Sequence, residues 1–341
     1  MTITRVKLER FTAFRKLDMK VSPGVNVLIG NNATGKTHLL KVVYAACDVT
    51  KTKGNLPEKL VGVFLPSEKR LGRLVHRRKG RSKGALEVYR RDKRIRVSFS
   101  NLATTTNSAT VTGASGWMSS PIECAYIPVK EMLANAPGFG ALHRRREIYF
   151  EEVYADIIDR ANLPLPKRPL GAARQKLLRH VRKHIRGNVV TKDEEFFLKT
   201  KQGTFEFTLV AEGARKLALL ERLIRNGTLL RGAVLFWDEP EANLNPSKMG
   251  AVIDILLELQ RMGVQVFVAT HDYFVLKEFD LRARETDEVL FHALYRDPET
   301  DEILHHSTSD YLSIHPNAIA DTFADIYDRD VGRALGRKAR A

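Results

Sequence analysis

Residues 25–40 read VNVLIGNNATGKTHLL, an apolar run, a glycine-rich turn and a second apolar stretch of helical character. The turn, residues 30–37, fits the pattern G-x-x-x-x-G-K-[ST] between a strand and a helix, which is the context this motif requires. Two glycines let the backbone curl around an anion, so that N–H groups and a helix N-terminus point at phosphate oxygens. The stretch therefore predicts binding of a nucleoside triphosphate with Mg²⁺. The residues expected to contact the nucleotide are Gly30, Asn31, Asn32, Gly35, Lys36, Thr37 and His38.

Lys36 is expected to reach the terminal phosphates, and the Thr37 hydroxyl is expected to bind Mg²⁺. An acidic ligand for the metal is expected from residues 233–246. They read AVLFWDEPEANLNP, in which an apolar strand runs directly into two carboxylates. The carboxyl ends of parallel strands are where ligands bind in such sheets. Asp238 is placed to hold Mg²⁺ through water, and Glu239 to orient or deprotonate the attacking water.

A histidine ends a third apolar strand. Residues 266–276 read VFVATHDYFVL, and His271 lies 32 positions after Glu239. At the end of a strand beside a phosphate site, its imidazole can hydrogen-bond the γ-phosphate or the lytic water. Glu239 and His271 are therefore the candidate catalytic residues.

Alternating strands and helices in the last third of the chain predict an α/β fold with a central, mostly parallel sheet flanked by helices. We expect a single domain over 1–341, with nucleotide-binding core halves at 1–50 and 205–300. Between them we expect a basic, antiparallel β-rich subdomain at 51–120, with strands at 60–65, 85–99 and 108–112, and a basic helical insertion at 138–190. A strand and a helix follow at 301–341. The absence of a long heptad run predicts no coiled-coil arm.

The composition is that of a globular protein, with 43% hydrophobic and 28% charged residues among 341. The two cysteines, Cys47 and Cys124, offer neither a disulfide framework nor metal-ligand spacing. No charged-then-apolar leader opens the sequence, and no apolar run approaches the ~20 residues that a membrane span needs. We therefore expect a cytoplasmic protein with no membrane partner.

The net charge of +16 is unevenly distributed. Residues 51–100 hold 16 Lys and Arg against 4 Asp and Glu, and residues 167–186 hold eight basic residues and no acid. Residues 251–300 are acidic instead, with five bases and ten acids. Such asymmetry indicates either a polyanionic partner, nucleic acid or an acidic protein, or solvated charge on exposed hairpins.

The order of phosphate loop, AEGARKL, FWDEPEANLNP and ATHD resembles the nucleotide-binding head of the ABC ATPase superfamily, in the soluble branch with the SMC, RecF and OLD-type ATPases. The resemblance covers about residues 1–46 and 205–280. It implies that the nucleotide is ATP, and that Ala211, Glu212 and Gly213 form the signature motif, which contacts ATP bound by a second protomer in a head-to-tail dimer. It also implies that Asn243 belongs to a loop that crosses the dimer interface. A homodimer or a larger homo-oligomer is therefore expected.

This sequence departs from the superfamily pattern at two places. Ala211 stands where a serine hydroxyl normally contacts the γ-phosphate, which predicts slow hydrolysis. No glutamine follows the strand IECAYIP where a glutamine loop is expected, and Glu131 is the candidate replacement. Phe11 and Phe14 are candidates for stacking on adenine.

The resemblance implies an ATPase that acts as a sensor or regulator in an anti-phage defence system, with a separate effector, such as a nuclease, and a basic surface for nucleic acid or an acidic protein. The alternative is a RecF-like repair or recombination ATPase that clamps DNA. A non-hydrolysing scaffold and a transporter motor are further alternatives. The sequence does not distinguish DNA, RNA and protein as the partner.

Overall fold

The computed structural model describes residues 2–145, 148–167 and 169–338. The strands are β1 (Arg5–Phe11), β2 (Phe14–Lys20), β3 (Val25–Ile29), β4 (Lys83–Arg90), β5 (Lys93–Ser100), β6 (Thr110–Thr112), β7 (Cys124–Ile127), β8 (Gly187–Lys192), β9 (Glu195–Thr200), β10 (Thr204–Glu206), β11 (Val234–Asp238), β12 (Gln265–Thr270), β13 (Val289–Arg296) and β14 (Ile303–Thr308). The α-helices are α1 (Lys36–Thr52), α2 (Leu56–Phe64), α3 (Ala114–Met118), α4 (Phe139–Arg145), α5 (Glu152–Asn162), α6 (Ala172–Ile185), α7 (Glu212–Asn226), α8 (Met249–Arg261), α9 (Tyr273–Arg282) and α10 (Ala318–Lys338).

A six-stranded sheet in the order β14-β13-β3-β12-β11-β7 forms the centre of the molecule. Every neighbouring pair is parallel except β13 and β14. Strands β3, β11 and β12 are buried along their whole length, because both faces of the sheet are covered. The predicted α/β class, with a mostly parallel sheet between helices, is confirmed.

The side chains of the central strands alternate between two cores. Val27, Trp237 and Val268 point into a core shared with α5 to α9. Leu28 and Phe236 point to the opposite side, into a core shared with α1, α2 and the antiparallel sheet. This alternation follows from the two-residue period of a strand. The parallel pairing of β3, β12 and β11 places the carboxyl ends of these strands at one edge of the sheet.

A second sheet, antiparallel throughout, has the order β2-β1-β4-β5-β6. The expected hairpin between β4 and β5 turns at Arg91-Asp92, with Arg91 in the left-handed region at φ 49°. Strand β2 contributes the buried residues Phe14, Leu17 and Met19 to the core beneath this sheet. β1 lies in this sheet, whereas β3 lies in the central one.

The predicted strand at 60–65 is wrong, because residues 56–64 form helix α2. The segment has Pro57 in its first turn, which favours a helix start. Its buried residues Leu56, Leu60 and Val63 follow the i, i+4, i+7 spacing of a helix, but positions 60–65 alone are almost all apolar. The apolar residues are the same in both interpretations, so periodicity over six positions could not separate them.

The interior of the chain contains α4, α5 and α6, followed by a three-stranded antiparallel sheet in the order β10-β9-β8. Helix α6 buries Leu177, Leu178, Val181 and Ile185, the stripe expected from the sequence. Arg146, Glu147 and Arg168 of the predicted insertion, and residues 339–341 of the predicted C-terminal segment, lie outside the described residues, as does Met1. Cys47 and Cys124 are both unpaired and buried.

Candidate functional site

The phosphate loop, residues 30–37, connects β3 to α1. Gly30 and Gly35 have φ values of 150° and 87°, and Gly35 occupies the cap position of α1. A Cβ atom on Gly30 would collide with the carbonyl oxygen of Leu294 in β13, and one on Gly35 would lie 2.7 Å from Cζ of Phe14. Both positions therefore require glycine, because neither the conformation nor the space admits a side chain.

Lys36 lies inside the loop that it is expected to serve. Its Nζ donates hydrogen bonds to the carbonyl oxygens of Gly30 at 2.6 Å and Asn31 at 2.9 Å. The side chain is almost completely buried, and burial lowers the pKa of Lys36. The negative charges of Glu239 and Asp238 raise the pKa of Lys36 and so oppose the effect of burial. A desolvated ammonium group held inside a phosphate loop is suited to attract phosphate oxygens.

Thr37 and Asp238 come together as predicted for a magnesium site. The Thr37 hydroxyl donates to Oδ1 of Asp238 at 3.1 Å, and the hydroxyl of Tyr126, at the end of β7, donates to Oδ2 at 3.0 Å. Burial raises the pKa of Asp238, whereas these two hydrogen bonds lower it. One hydroxyl and one carboxylate are an appropriate protein contribution for Mg²⁺, which keeps several waters and binds substrate phosphates. Tyr126 was not singled out from the sequence, although β7 pairs in parallel with β11.

Glu239 and His271 form the exposed part of the same cluster. Nδ1 of His271 lies 3.2 Å from Oε1 of Glu239, and both side chains are partly accessible. Glu239 adopts φ 48°, and its N–H donates to the carbonyl oxygen of Ala269, which joins the ends of β11 and β12. The arrangement gives a carboxylate and an imidazole at one edge, where each can contact a water molecule.

Glu241 turns inward and fixes the histidine backbone. Its Oε1 accepts from the Thr270 hydroxyl at 2.7 Å and from the His271 N–H at 3.2 Å. Burial raises the pKa of Glu241. Glu241 therefore holds the loop after β11 against the loop after β12, and so positions His271 relative to Glu239. The sequence placed Glu241 only in a loop crossing the dimer interface.

The predicted signature residues, Ala211, Glu212 and Gly213, lie together at the start of α7. Ala211 is the exposed cap of α7, and Glu212 and Gly213 form its first turn. A Cβ atom on Gly213 would lie 2.9 Å from Cδ1 of Leu244 and 3.0 Å from the carbonyl oxygen of Asn243, so this turn packs on the loop that follows β11. Asn243 is exposed, with φ 58°.

Lys216 secures that contact one turn further along α7. Its buried Nζ donates to the carbonyl oxygen of Ala242 at 2.6 Å, and burial lowers the pKa of Lys216. The loop at residues 239–245 therefore connects Glu239 at one end with the signature turn at the other. Neither Lys216 nor its contact was predicted, because a lysine four residues into a helix carries no distinguishing pattern.

Three side chains do not have the environments expected from the sequence. The ring of His38 lies 5.6 Å from that of Phe64, and burial lowers the pKa of His38 to about 4, so it is neutral and packed against α2. Phe11 and Phe14 are fully buried, so the prediction that they stack on adenine is wrong. They belong to the core between the antiparallel sheet and α1.

Glu131 is not available as a glutamine-loop substitute. Its buried carboxylate accepts from Nε of Arg215 at 2.5 Å through Oε2 and from the Leu133 N–H through Oε1. Burial raises the pKa of Glu131, against the effect of these donors. The glutamate instead ties the segment after β7 to α7.

A charged groove of about 1100 Å³ lies beside the phosphate loop, on the outer face of β1, β2 and β4. Ala13 lines the groove and would be 3.2 Å from a Cβ atom on Gly35. Its basic lining residues are Lys7, Arg10, Arg15, Lys16, His76, Arg77, Arg78 and Arg296, and its acidic ones are Glu9, Asp18, Glu87, Asp301 and Glu302. Arg90 does not contribute, because its buried guanidinium binds the carbonyl oxygens of Trp117 and Ser120.

Parts of the chain are similar to known proteins. The family described as "AAA domain, putative AbiEii toxin, Type IV TA system" matches residues 127–277. Proteins named DNA replication and repair protein RecF are 31% identical over 93 residues in Streptococcus suis (strain 05ZYH33) and 31% over 98 residues in Ligilactobacillus salivarius (strain UCC118). These matches cover 27% and 29% of this chain, and 25% and 26% of the relatives. The chain is therefore similar to this AAA family over residues 127–277 and to RecF proteins over about a quarter of their length.

Solved structures of SMC heads share the fold of this chain. A crystal structure of an Smc head bound to the C-winged helix domain of ScpA aligns with a TM-score of 0.58 and 13% identity, over 92% of this chain and all of that one. An Smc head from Pyrococcus furiosus, bound to the C-terminal domain of ScpA, aligns with a TM-score of 0.51 and 10% identity, over 90% and 96%. No helix in the described part of the chain is long and apolar enough to cross a membrane.

Proposed function

We propose that this protein binds and slowly hydrolyses Mg-ATP, with Lys36 on the phosphates and Thr37 and Asp238 on the metal. The hydrogen bond between Thr37 and Asp238 carries the proposal, because it joins the phosphate loop to the carboxyl end of β11. The metal, when bound, supplies charge stabilisation at the transferred phosphoryl group. Glu239 is the general base, and His271, held by Glu241, contacts the γ-phosphate or the lytic water.

The complete site requires two copies of the chain. Gly213 packs beside Asn243, and Ala211, the cap of α7, is exposed. The first main-chain N–H groups of a helix have no hydrogen-bond partner within that helix. A helix N-terminus is a suitable partner for a phosphate. ATP is therefore sandwiched between the phosphate loop of one copy and the signature turn of the other, in a head-to-tail homodimer or a larger homo-oligomer.

The groove beside the phosphate loop is the proposed surface for nucleic acid or an acidic protein. Arg77 and Arg78 are exposed there and have no carboxylate partner among the described residues, whereas Arg15 pairs with Glu302 and Arg10 with Glu9. Phosphate contacts of this kind position a polyanion without reading its sequence. Binding is expected to weaken steeply as salt rises.

The proposed setting is a cytoplasmic sensor or regulator in an anti-phage defence system that passes its ATP state to a separate effector. The family description, which names a toxin of a toxin–antitoxin system, supports this setting. The RecF relatives favour the second candidate, an ATP-gated clamp in DNA repair or recombination. The chain spans about a quarter of the length of those relatives, so both settings remain proposals for the whole protein.

Glu239→Gln tests the catalytic assignment, because it keeps the size of the side chain and removes the base. We expect ATP binding to persist, hydrolysis to stop, and light scattering to report a dimer or larger species only with Mg-ATP. Hydrolysis at the wild-type rate would assign the base to another residue.

A parallel series with double-stranded DNA separates the two settings. We expect Arg77→Glu/Arg78→Glu to abolish DNA or acidic-protein binding, while Lys201→Glu, an exposed lysine in the β9–β10 turn, leaves it unchanged. ATP-dependent assembly that recruits DNA supports the clamp. Assembly without DNA supports a protein trigger or effector, to be identified by pull-down.

A further inference from the structure

Helix α6 carries a row of exposed basic side chains that neither the nucleotide site nor the groove uses. One side of the helix is an apolar stripe, buried against the core. The opposite side is exposed and carries Lys176, Arg179, Lys183 and, at the C-terminal cap, Arg186. Intervals of three and four residues keep these side chains on one side of the helix. We call them the α6 row.

No carboxylate in the described part of the chain pairs with the α6 row. Helix α6 contains no acid, and its ion pair with α7 is made by Arg182, on the flank of the row. Arg182 lies 2.7 Å from the buried Glu221, which also pairs with Arg225 at 3.5 Å. Glu221 is therefore neutralised within the protein, and the charges of the α6 row remain available to an external anion.

The surroundings of His184 show that the last turn of α6 is strongly positive. Burial lowers the pKa of His184, and His180, Lys248 and Lys183 lower it further. The carboxylate of Asp254 acts in the opposite direction and does not outweigh them. Lys248, which lies directly before α8, therefore extends the positive surface at this end of the α6 row.

The length of the α6 row suits one strand of a nucleic-acid duplex. Ten residues at ~1.5 Å each give a rise of about 15 Å between Lys176 and Arg186. One strand of B-DNA presents a phosphate about every 3.4 Å along the duplex axis, so about four phosphates fall within that length. Each long cationic side chain of the row can therefore reach a phosphate of its own.

The composition of the exposed side favours a duplex over a single strand or a protein. The other exposed residues of α6 are Ala172, Ala173 and Gln175. Single-stranded sites add aromatic side chains on which bases stack, and the centres of protein interfaces are rich in aromatic residues and poor in charge. Helix α6 also has no hydroxyl side chain to recognise the 2′-OH of RNA. A wholly charged row fits the phosphates of duplex DNA.

The α6 row and the groove lie on different sides of the central sheet. The buried stripe of α6 belongs to the core shared with α7 and α8, whereas β1, β2 and β4, which line the groove, cover the other core. Substitutions in one surface therefore leave the other unchanged, and the contributions of the two surfaces can be measured separately.

We propose that the α6 row binds the phosphate backbone of double-stranded DNA, as a second surface apart from the groove. Contacts of this kind hold the duplex without reading its sequence. The inference does not depend on ATP hydrolysis, on the dimer or on the groove.

The test uses the full chain with Arg77→Glu/Arg78→Glu, which removes the two unpaired arginines of the groove. Fluorescence anisotropy of a labelled DNA duplex of about 20 bp is recorded at about 50 mM salt, because a row of about four phosphate contacts binds weakly at higher salt. We expect binding at that salt and a loss of about a hundredfold in affinity by about 200 mM. Adding Arg179→Glu/Lys183→Glu should weaken binding at least about tenfold and reduce the salt slope by about two.

Lys20→Glu/Lys53→Glu in the same background is the matched control. It changes the net charge equally at exposed sites elsewhere and should alter the affinity by less than about threefold. The neutral change Arg179→Gln/Lys183→Gln should give a loss between those of the control and the charge reversal, because it removes the attraction without adding repulsion.

The outcomes separate this inference from the proposed function. If the α6 reversal behaves like the control, or if Arg77→Glu/Arg78→Glu alone ends binding at both salt concentrations, the α6 row does not bind DNA and the groove proposal stands. If Arg77→Glu/Arg78→Glu keeps the wild-type affinity and the α6 reversal removes it, the groove proposal fails and the α6 row stands. Binding at least about tenfold tighter to single-stranded DNA or to an RNA duplex overturns the choice of duplex DNA.

Discussion

The buried pair of Glu131 and Arg215 gives the most quantitative stability prediction. Arg215 donates to Glu131 at 2.5 Å and to the carbonyl oxygens of Phe207 and Val210 at 3.0 Å and 2.6 Å. Arg215→Ala leaves a fully buried carboxylate without its counter-charge, together with two carbonyl groups that lose their donor. Breaking one side of a buried pair costs about 3–5 kcal/mol in the free energy of unfolding. We expect a loss in that range.

Glu131→Gln should cost less, about 1–3 kcal/mol, because the amide keeps an acceptor for the Leu133 N–H and Arg215 keeps its two carbonyl partners. The double variant Glu131→Gln/Arg215→Ala removes both charges. Its loss should be smaller than the sum of the single losses by at least about 2 kcal/mol, since neither charge is then stranded.

These differences are measured by urea unfolding, followed by the fluorescence of the buried Trp117 and Trp237. The variants are compared where the m-value, the slope of the free energy of unfolding against urea concentration, is the same. Lys201→Ala, at an exposed turn, is the control and should change stability by less than about 0.5 kcal/mol. The reasoning is refuted if Arg215→Ala costs less than about 1 kcal/mol, or if the two single losses add to that of the double variant within about 0.5 kcal/mol.

Three further outcomes are expected. Lys36→Ala should weaken binding of a fluorescent ATP analogue at least about thirtyfold, because it removes the charged donor in the phosphate loop; retained affinity would contradict that role. Ala211→Ser should tighten ATP-dependent dimerisation about tenfold if the added hydroxyl reaches the γ-phosphate of a second copy, whereas a gain seen only in the stability of the ATP-free protein would reveal a helix cap instead. Burial lowers the pKa of His292 from 6.5 to about 3, so between these values only the unfolded chain is protonated and stability falls as pH falls. The loss between pH 7.5 and 5.0 should be about 2 kcal/mol, and His292→Gln should remove that part of the dependence in urea titrations at both pH values.

The motifs that could be predicted are those whose chemistry is local in sequence. The phosphate loop needs its glycines, lysine and threonine within eight residues, and an apolar strand that ends in Asp238 needs only the five residues before it. Their meeting, seen in the Thr37–Asp238 hydrogen bond, follows because both lie at the carboxyl ends of strands in one parallel sheet. The central fold was therefore accessible from pattern alone.

The wrong predictions concern side chains whose partners lie far away in the sequence. Arg90 lies in the basic stretch at residues 51–100, but its guanidinium donates to the carbonyl oxygen of Trp117, 27 residues away, and is buried over that ring. Glu131 looked free to sense metal until α7 supplied Arg215, 84 residues later. Phe14 looked available to adenine, whereas it fills the space beneath Gly35. In each case a partner remote in sequence decided the role of the side chain.

The position of β3 in the central sheet has a consequence for synthesis on the ribosome. β3 is flanked by β12 at residues 265–270 and β13 at residues 289–296, and the carbonyl group that encloses Gly30 belongs to Leu294. At the usual rate of translation, roughly 12–50 s separate the synthesis of α1 from the synthesis of β13, the last strand to pair with β3. During this interval the apolar strand and helix around the phosphate loop lack their partners and are natural clients for chaperones. The phosphate loop is among the first segments translated and among the last to take its final shape.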